Sequence, residues 1–502
     1  MRSKLCGQGV CICRMGFLAR PAYFVDGLGR PSYFGRTLAV LLCAFHLAAG
    51  AFAQEKPVAP FRPPASALEV LDQFGIGESQ FVNFFSGQPL GAAEEEVLVK
   101  ILFRWPKLGP EYVEAWRQKG VTWDQLVAQP VPHRGEIYAF RGRATHAAKV
   151  TLAPELAERL LFDHYFTATV KIDDSPSVAL VYARFLPAAW KLDVEMDEPV
   201  SVDGLFLKVG DATAETPPLL FATERIAWHP DQPHPEVHVG PDQVALAQAG
   251  VDWGLYEVVK AENGRGFEGP DREPFFQTLA VFAGEKGARL PAPAKSVDIP
   301  LLLQKSETLL GSRLKFRGIA QRITKVTVGA DDIHKRFGID HYYEIDASIV
   351  LDKPMKVAKS SQDKDSLLYA NTFPVVLVVP RLPDNLKEGE NVHDLIEADG
   401  TFYKLWTYQS AFAAQKNKRQ PAPLLMSSEV RLVKKGDPLA AVGGVVVTTC
   451  MVLAGGTFFV LYWWFRLSDR KSSSRPAASI HDALRKGAEQ AASDKPNFEG
   501  LK

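Results

Sequence analysis

Three histidines, His229, His234 and His238, stand close together with Asp231 and Glu236 among them. Neutral imidazoles beside a carboxylate are zinc or copper ligands. Pro230, Pro233 and Pro235 break this segment, so no single helix can aim the three rings at one point. The competing reading is a polar linker. A second set is Asp163-His164-Tyr165, which returns as Asp340-His341-Tyr342. An imidazole oriented by a carboxylate can move protons near neutral pH. Adjacent strand residues point to opposite faces, which favours instead a hydrogen bond fixing the start of a strand. A third set is basic: Arg141, Arg317, Lys208 and Lys404. On a barrel face these would line a ligand groove; against Asp203 and Asp399 they would form ion pairs. Ser361-Gln362-Asp363-Lys364 spells the S-x-x-K of serine hydrolases, but in a charged insertion without companion motifs. The sequence holds no P-loop, H-E-x-x-H, C-x-x-C or G-x-S-x-G motif, and no cofactor is implied.

Several of these residues occur twice, in step. Phe140-Arg141-Gly142 returns as Phe316-Arg317-Gly318, and Leu180-Val181-Tyr182 as Leu377-Val378-Val379. Asp203-Gly204, Phe206 and Lys208 match Asp399-Gly400, Phe402 and Lys404. Pro218-Leu219-Leu220 and Glu224 match Pro423-Leu424-Leu425 and Glu429. Upstream, Leu71, Gly75-Ile76 and the 94–102 run match Leu246, Gly250-Val251 and the 271–279 run. Landmarks kept in one order argue for an internal duplication.

The elements that must position these residues follow from periodicity. Helical apolar spacing covers 66–76, 92–105 and 112–127. Alternation predicts strands over 136–150, 165–172, 178–185, 200–209 and 219–228, with a one-helix insertion at 154–162. Gly142 and Gly204 in mid-strand predict bends or bulges. The expected organisation is a helical piece at 66–130, a β-barrel at 134–228, a Pro- and His-rich linker at 229–241, a second helical piece at 242–300 and a second barrel at 311–433. Five short strands with a bent first strand resemble OB-type barrels; the helix after strand one departs from the OB pattern, and a sandwich stays open. The fold class is thus mainly β with small helical pieces (α+β): two tandem repeats, each a short helical segment plus a five-stranded OB-like barrel or sandwich, then one transmembrane helix.

Outside the repeats the sequence reads as targeting and anchoring. Residues 1–53 carry Arg20, Arg30 and Arg36, a short apolar run and an A-x-A signal at Ala51-Phe52-Ala53. A Pro-rich linker follows at 54–65. Residues 438–465 contain no charge and are long enough to span a bilayer. Trp463-Trp464 and then Arg466, Arg470 and Lys471 place the tail, 466–502, on the cytoplasmic side. All five cysteines, Cys6, Cys11, Cys13, Cys43 and Cys450, lie outside the repeats, so the exported part has no disulfide. The layout resembles uncharacterised, duplicated, exported bacterial membrane proteins.

Charge bears on partners. The chain has 58 basic and 58 acidic residues. Residues 133–240 carry 10 basic and 16 acidic residues, and 311–435 carry 20 and 15. The copies differ in sign, which favours attraction within the chain or between neighbours. The expected function is a single-pass envelope protein that binds or scaffolds without catalysis, partnered by the membrane and by an envelope protein or itself. The alternatives are an envelope enzyme with a site between the repeats and, last, nucleic-acid binding by the barrels. The acidic first copy opposes the last, so no nucleic acid is expected.

Overall fold

The computed structural model describes residues 62–160, 162–293, 295–357, 366–414 and 419–433. The chain divides into two compact units after Pro63; only residues 62 and 63 of the first are described, and the fold below belongs to the second. The expected targeting segment 1–53, the span 438–465 and the tail 466–502 lie outside the described residues. Among the described residues no helix is long and apolar enough to cross a membrane.

The first module begins with helices α1 (Ala67–Asp72), α2 (Ala92–Arg104) and α3 (Pro110–Ala115). Ser66 caps α1 by accepting the Glu69 N–H. Glu94 reaches back to the Gly91 N–H at the start of α2. Strands β1 (Ile137–Thr151), β2 (His164–Ile172), β3 (Val178–Phe185), β4 (Glu195–Val209), β5 (Leu219–Arg225) and β6 (Ala227–Trp228) follow, with α4 (Pro154–Leu160) between β1 and β2. The sheet order is β1-β2-β3-β5-β4-β6, and β1 also pairs with β4. That pairing closes the sheet into a five-strand barrel with β6 as an appendage. β3 and β5 run parallel; the other neighbours are antiparallel.

The second module repeats the plan. Its main helices are α5 (Pro241–Gln248) and α6 (Arg272–Ala283). Its strands are β7 (Lys295–Ser296), β8 (Arg313–Thr327), β9 (His341–Val350), β10 (Met355–Val357), β11 (Leu367–Tyr369), β12 (Thr372–Val379), β13 (Asp394–Tyr408), β14 (Gln420–Met426) and β15 (Arg431–Leu432), and α7 (Asp331–Phe337) sits between β8 and β9. The order β7-β8-β9-β12-β14-β13-β15, closed by β8 on β13, matches the first sheet strand for strand apart from β7. β12 and β14 form the equivalent parallel pair. A small hairpin, β10-β11, is added.

Pairing corrects three expectations. Register shifts fall between Ala144 and His146, and between Phe206 and Lys208, two residues beyond the glycines expected to bulge. Gly142 is required for another reason: a Cβ there would lie 2.2 Å from the Lys171 carbonyl oxygen. The copies also align differently in two strands. Leu220 stands opposite Lys208 and Leu424 opposite Lys404, so Glu224 corresponds to Ser428 and Arg225 to Glu429. Matching identical letters had slipped β3 and β5 by one residue, which in a strand exchanges the faces. The hydroxyls confirm the corrected register: Thr223 donates to the Asp203 and Arg225 carbonyls, and Ser427 to those of Asp399 and Glu429. Finally, 229–241 is packed and not a loose linker. Val239 is buried, and Gln248 donates to the His229 and Pro230 carbonyls.

The modules share a core. One continuous apolar cluster contains Phe140, Val181 and Phe221 of the first barrel, Leu246, Trp253 and Phe275 of the second helical piece, and Phe316, Ile345 and Phe402 of the second barrel. A separate cluster joins the first helical piece, through Leu98, Ile101 and Leu102, to the outer face of the first barrel at Leu205, Leu207 and Leu220.

Candidate functional site between the modules

The basic residues singled out by repetition are structural in part. Lys208 and Lys404 are both fully buried. Each lies just past a bulge, which displaces Leu207 or Tyr403 from the ladder. Lys208 Nζ meets the Glu94 carboxylate at 2.7 and 2.8 Å and donates to the carbonyls of Phe85 and Pro89. Lys404 Nζ meets Asp271 at 3.0 Å through both oxygens. Glu94 and Asp271 stand at the starts of α2 and α6, so each module ties its long helix to its barrel with one buried ion pair. These lysines therefore do not line a groove, and their partners are not Asp203 and Asp399.

The arginines part company. Arg317 pairs with its cross-strand neighbour Glu397 at 3.0 Å. Arg141 is exposed, its cross-strand neighbour is the uncharged Ser201, and it forms no ion pair among the described residues. Asp203 is held instead by Arg117, at 2.7 and 2.8 Å, and Asp399 by Arg431 at 3.3 Å. Arg117 comes from outside the strands and Arg431 from the short last strand, which strand alternation alone could not show.

The three histidines do not converge. No group of three or more His, Cys, Asp or Glu able to hold a metal occurs among the described residues. His229 Nε2 lies 2.8 Å from the Ser201 hydroxyl, and Nδ1 lies 3.1 Å from the Val251 carbonyl. The carbonyl requires a proton on Nδ1, so both nitrogens are committed. Burial pushes the His229 pKa down and favours that neutral ring. His234 packs on Trp228 with Glu198 at 3.5 Å. His238 sits in left-handed backbone at φ 61°.

Asp163 and His164 do meet, at 2.5 Å, contrary to the alternation argument. Asp163 precedes β2 and is not bound by its pleat. In the second module Asp340 turns instead to His334 of α7, at 2.6 Å. What both copies keep is the backbone bond from Leu152 to Asp163 and from Val328 to Asp340, at 2.8 Å in each. The paired motif fixes the start of a strand.

The site that sequence motifs missed is a cleft of about 660 Å³. One wall is the end of the first barrel, with Asp203, Glu224 and Arg225, and α3. The other is built by Asp252, Glu273 and Arg336 of the second module. A ledge of Trp105, Pro106 and Leu255 supplies apolar surface. Arg117 lies between Glu114 and Asp203, Arg225 meets Asp252 at 3.1 Å, and Arg336 meets Glu273 at 2.5 and 2.8 Å. Burial pushes the Asp252 carboxyl up, against the pull of Arg225 and of the Trp228 and Gly254 N–H groups. Burial also raises Glu224, opposed by Arg225 and Arg184. Burial would raise Glu273 too, but the Arg336 fork outweighs it and holds that carboxyl low. Chemically, the cleft offers fixed charges on both walls and one apolar side.

No family model matches the chain, and no curated protein does. Among solved structures, the Ifi202 HINa domain in complex with 20 bp dsDNA is similar at 8% identity over 59% of this chain and 94% of that one, with a TM-score of 0.12. Fission yeast Pot1 with ssDNA is similar at 10% identity over 60% of this chain and 85% of that one, with a TM-score of 0.14. At such scores these likenesses carry no argument, and the fold stands on the strand pairings alone.

Proposed function

We propose that the chain is a single-pass envelope protein whose two OB-type barrels form a non-enzymatic binding platform, with the inter-module cleft as its ligand site. In this reading residues 1–53 direct export, 438–465 anchor the chain and 466–502 face the cytoplasm. The observation that carries the binding site is the cleft itself: residues of both modules line it, and the modules share one core, so its two walls are held in register. A pocket of several hundred Å³ with an apolar side and a few placed charges is the usual form of a small-ligand site. The test is to purify the full chain from membranes in mild detergent and identify what accompanies it by mass spectrometry. Pro110 is exposed at the rim, and Pro110→Trp should narrow the cleft and deplete the companion. An unchanged companion would place binding elsewhere.

A second reading is an envelope enzyme using the same cleft. The raised carboxyls of Glu224 and Asp252 favour it, since catalytic acids are tuned by burial in this way. It requires turnover of a co-purified compound that Glu224→Gln abolishes while binding persists.

A further inference from the structure

Five carboxylates and three guanidinium groups line the inter-module cleft. Every guanidinium is already engaged: Arg117 by Asp203 and Glu114, Arg225 by Asp252, and Arg336 by Glu273 and Glu114. Glu224 is half-buried and makes no ion pair or hydrogen bond among the described residues. Arg184 and Arg225 act on it through space, but Arg184 lies over the Phe162 ring at 3.9 Å and Arg225 is held by Asp252. A carboxylate so placed has lost hydration without gaining a partner. The barrel does not require it, because the equivalent position in the second module is Ser428. Beside it run Phe185, Trp105 and Leu255, an apolar surface that would cover a short hydrocarbon or aromatic body.

We infer that the cleft takes an organic cation, an amine or guanidine on a short apolar body, with its charged end at Glu224 and its body against Trp105, Phe185 and Leu255. This rests on the cleft being the ligand site and specifies the class of ligand. An arriving ammonium would supply the missing partner, and charge-assisted hydrogen bonds in a partly dry site are strong. The surplus of carboxylates disfavours anions of the same shape.

The test uses the full chain in detergent and three matched probes: 3-phenylpropylamine, 3-phenylpropanol and 3-phenylpropionate. Equilibrium dialysis should show the amine binding tightest. Glu224→Gln should weaken the amine about tenfold or more and leave the alcohol nearly unchanged, as expected for loss of a charged hydrogen bond. Glu429→Gln, on the exposed end of the second barrel, should change nothing. Denaturant unfolding of each variant separates lost binding from lost folding. Tighter binding of the propionate, or an amine affinity indifferent to Glu224→Gln, overturns the cation while the cleft reading survives, provided Pro110→Trp still weakens the bound probe. If no probe binds at millimolar concentration, or if binding ignores Pro110→Trp, both readings fall.

Discussion

Lys208 is surrounded by acceptors, while Lys404, at the same place in the second barrel, is served more sparingly. Lys208 has a carboxylate at 2.7 Å and two carbonyls at 3.1 and 3.2 Å. Its partner Glu94 also accepts the Phe85 and Gly91 N–H groups at 2.7 Å. Lys404 has Asp271 at 3.0 Å and one carbonyl at 3.4 Å. Part of its remaining solvation comes from the Phe267 ring, 5.1 Å away. Burial pushes Asp271 up to about 6 and Lys404 down, against their mutual attraction. One design has thus been filled in to two standards. The first pair is a satisfied network, and the second still bears a desolvation cost that protonation of Asp271 relieves.

The comparison can be broken first at the lysines. Removing one partner of a buried pair costs about 3–5 kcal/mol, and Lys208→Met should reach that range because Glu94 is left buried without its cation. Lys404→Met should cost less, since Asp271 takes up a proton near neutrality. Urea unfolding of the full chain reads both values, and equal losses would refute the contrast. The glycines give the next largest effect. Gly142→Ala would drive a Cβ to 2.2 Å from the Lys171 carbonyl, whereas Gly318→Ala, at the matching position, meets the Ser348 carbonyl at 2.7 Å. Overpacking of the first kind should destabilise by roughly 1–3 kcal/mol, and the second by less, as melting temperatures would show.

The pH dependence sharpens the same contrast. The Asp271 pKa is higher in the folded chain than its ordinary value, so between pH 4 and 6 the folded chain holds a proton that the unfolded chain has released. Its contribution is therefore present at low pH and lost as pH rises through about 6. Asp271→Asn should flatten that part of the stability–pH curve, and a curve of unchanged slope would count against the assignment. The smallest effect belongs to the surface. Arg143 bridges Asp197 and Asp231, both substantially exposed, and Arg143→Ala should cost under about 1 kcal/mol, diminishing with salt.

Much of the scaffold was legible because it is local. Alternation located β1 to β5 within a few residues, and Pro154 with its apolar spacing marked α4. In-step recurrence singled out Lys208 and Lys404, and placed Glu94 and Asp271 at matching positions, yet it paired neither lysine correctly. Sequence distance hides which helix folds against which strand. Identity of letters also misled where chemistry was conserved by other means: Thr223 and Ser427 share a role that matching Glu224 to Glu429 concealed. The cleft was illegible for a further reason. Glu224, Asp252, Glu273 and Arg336 come from separate elements, and no spacing rule connects them.

The parallel placement of β5 between β3 and β4 also dictates an order of events in time. The last strand of each barrel fills an interior position, so closure waits until the chain has emerged through Arg225, or through Met426 in the second module. Until then β1 and β4 must find each other across a long intervening stretch, a slow kind of pairing. The backbone N–H of Trp228, at the finished end of the first barrel, lacks its acceptor until Asp252 arrives. During synthesis, the newly made first module therefore passes through a stage with that donor unpaired, and the second helical piece is what ends it.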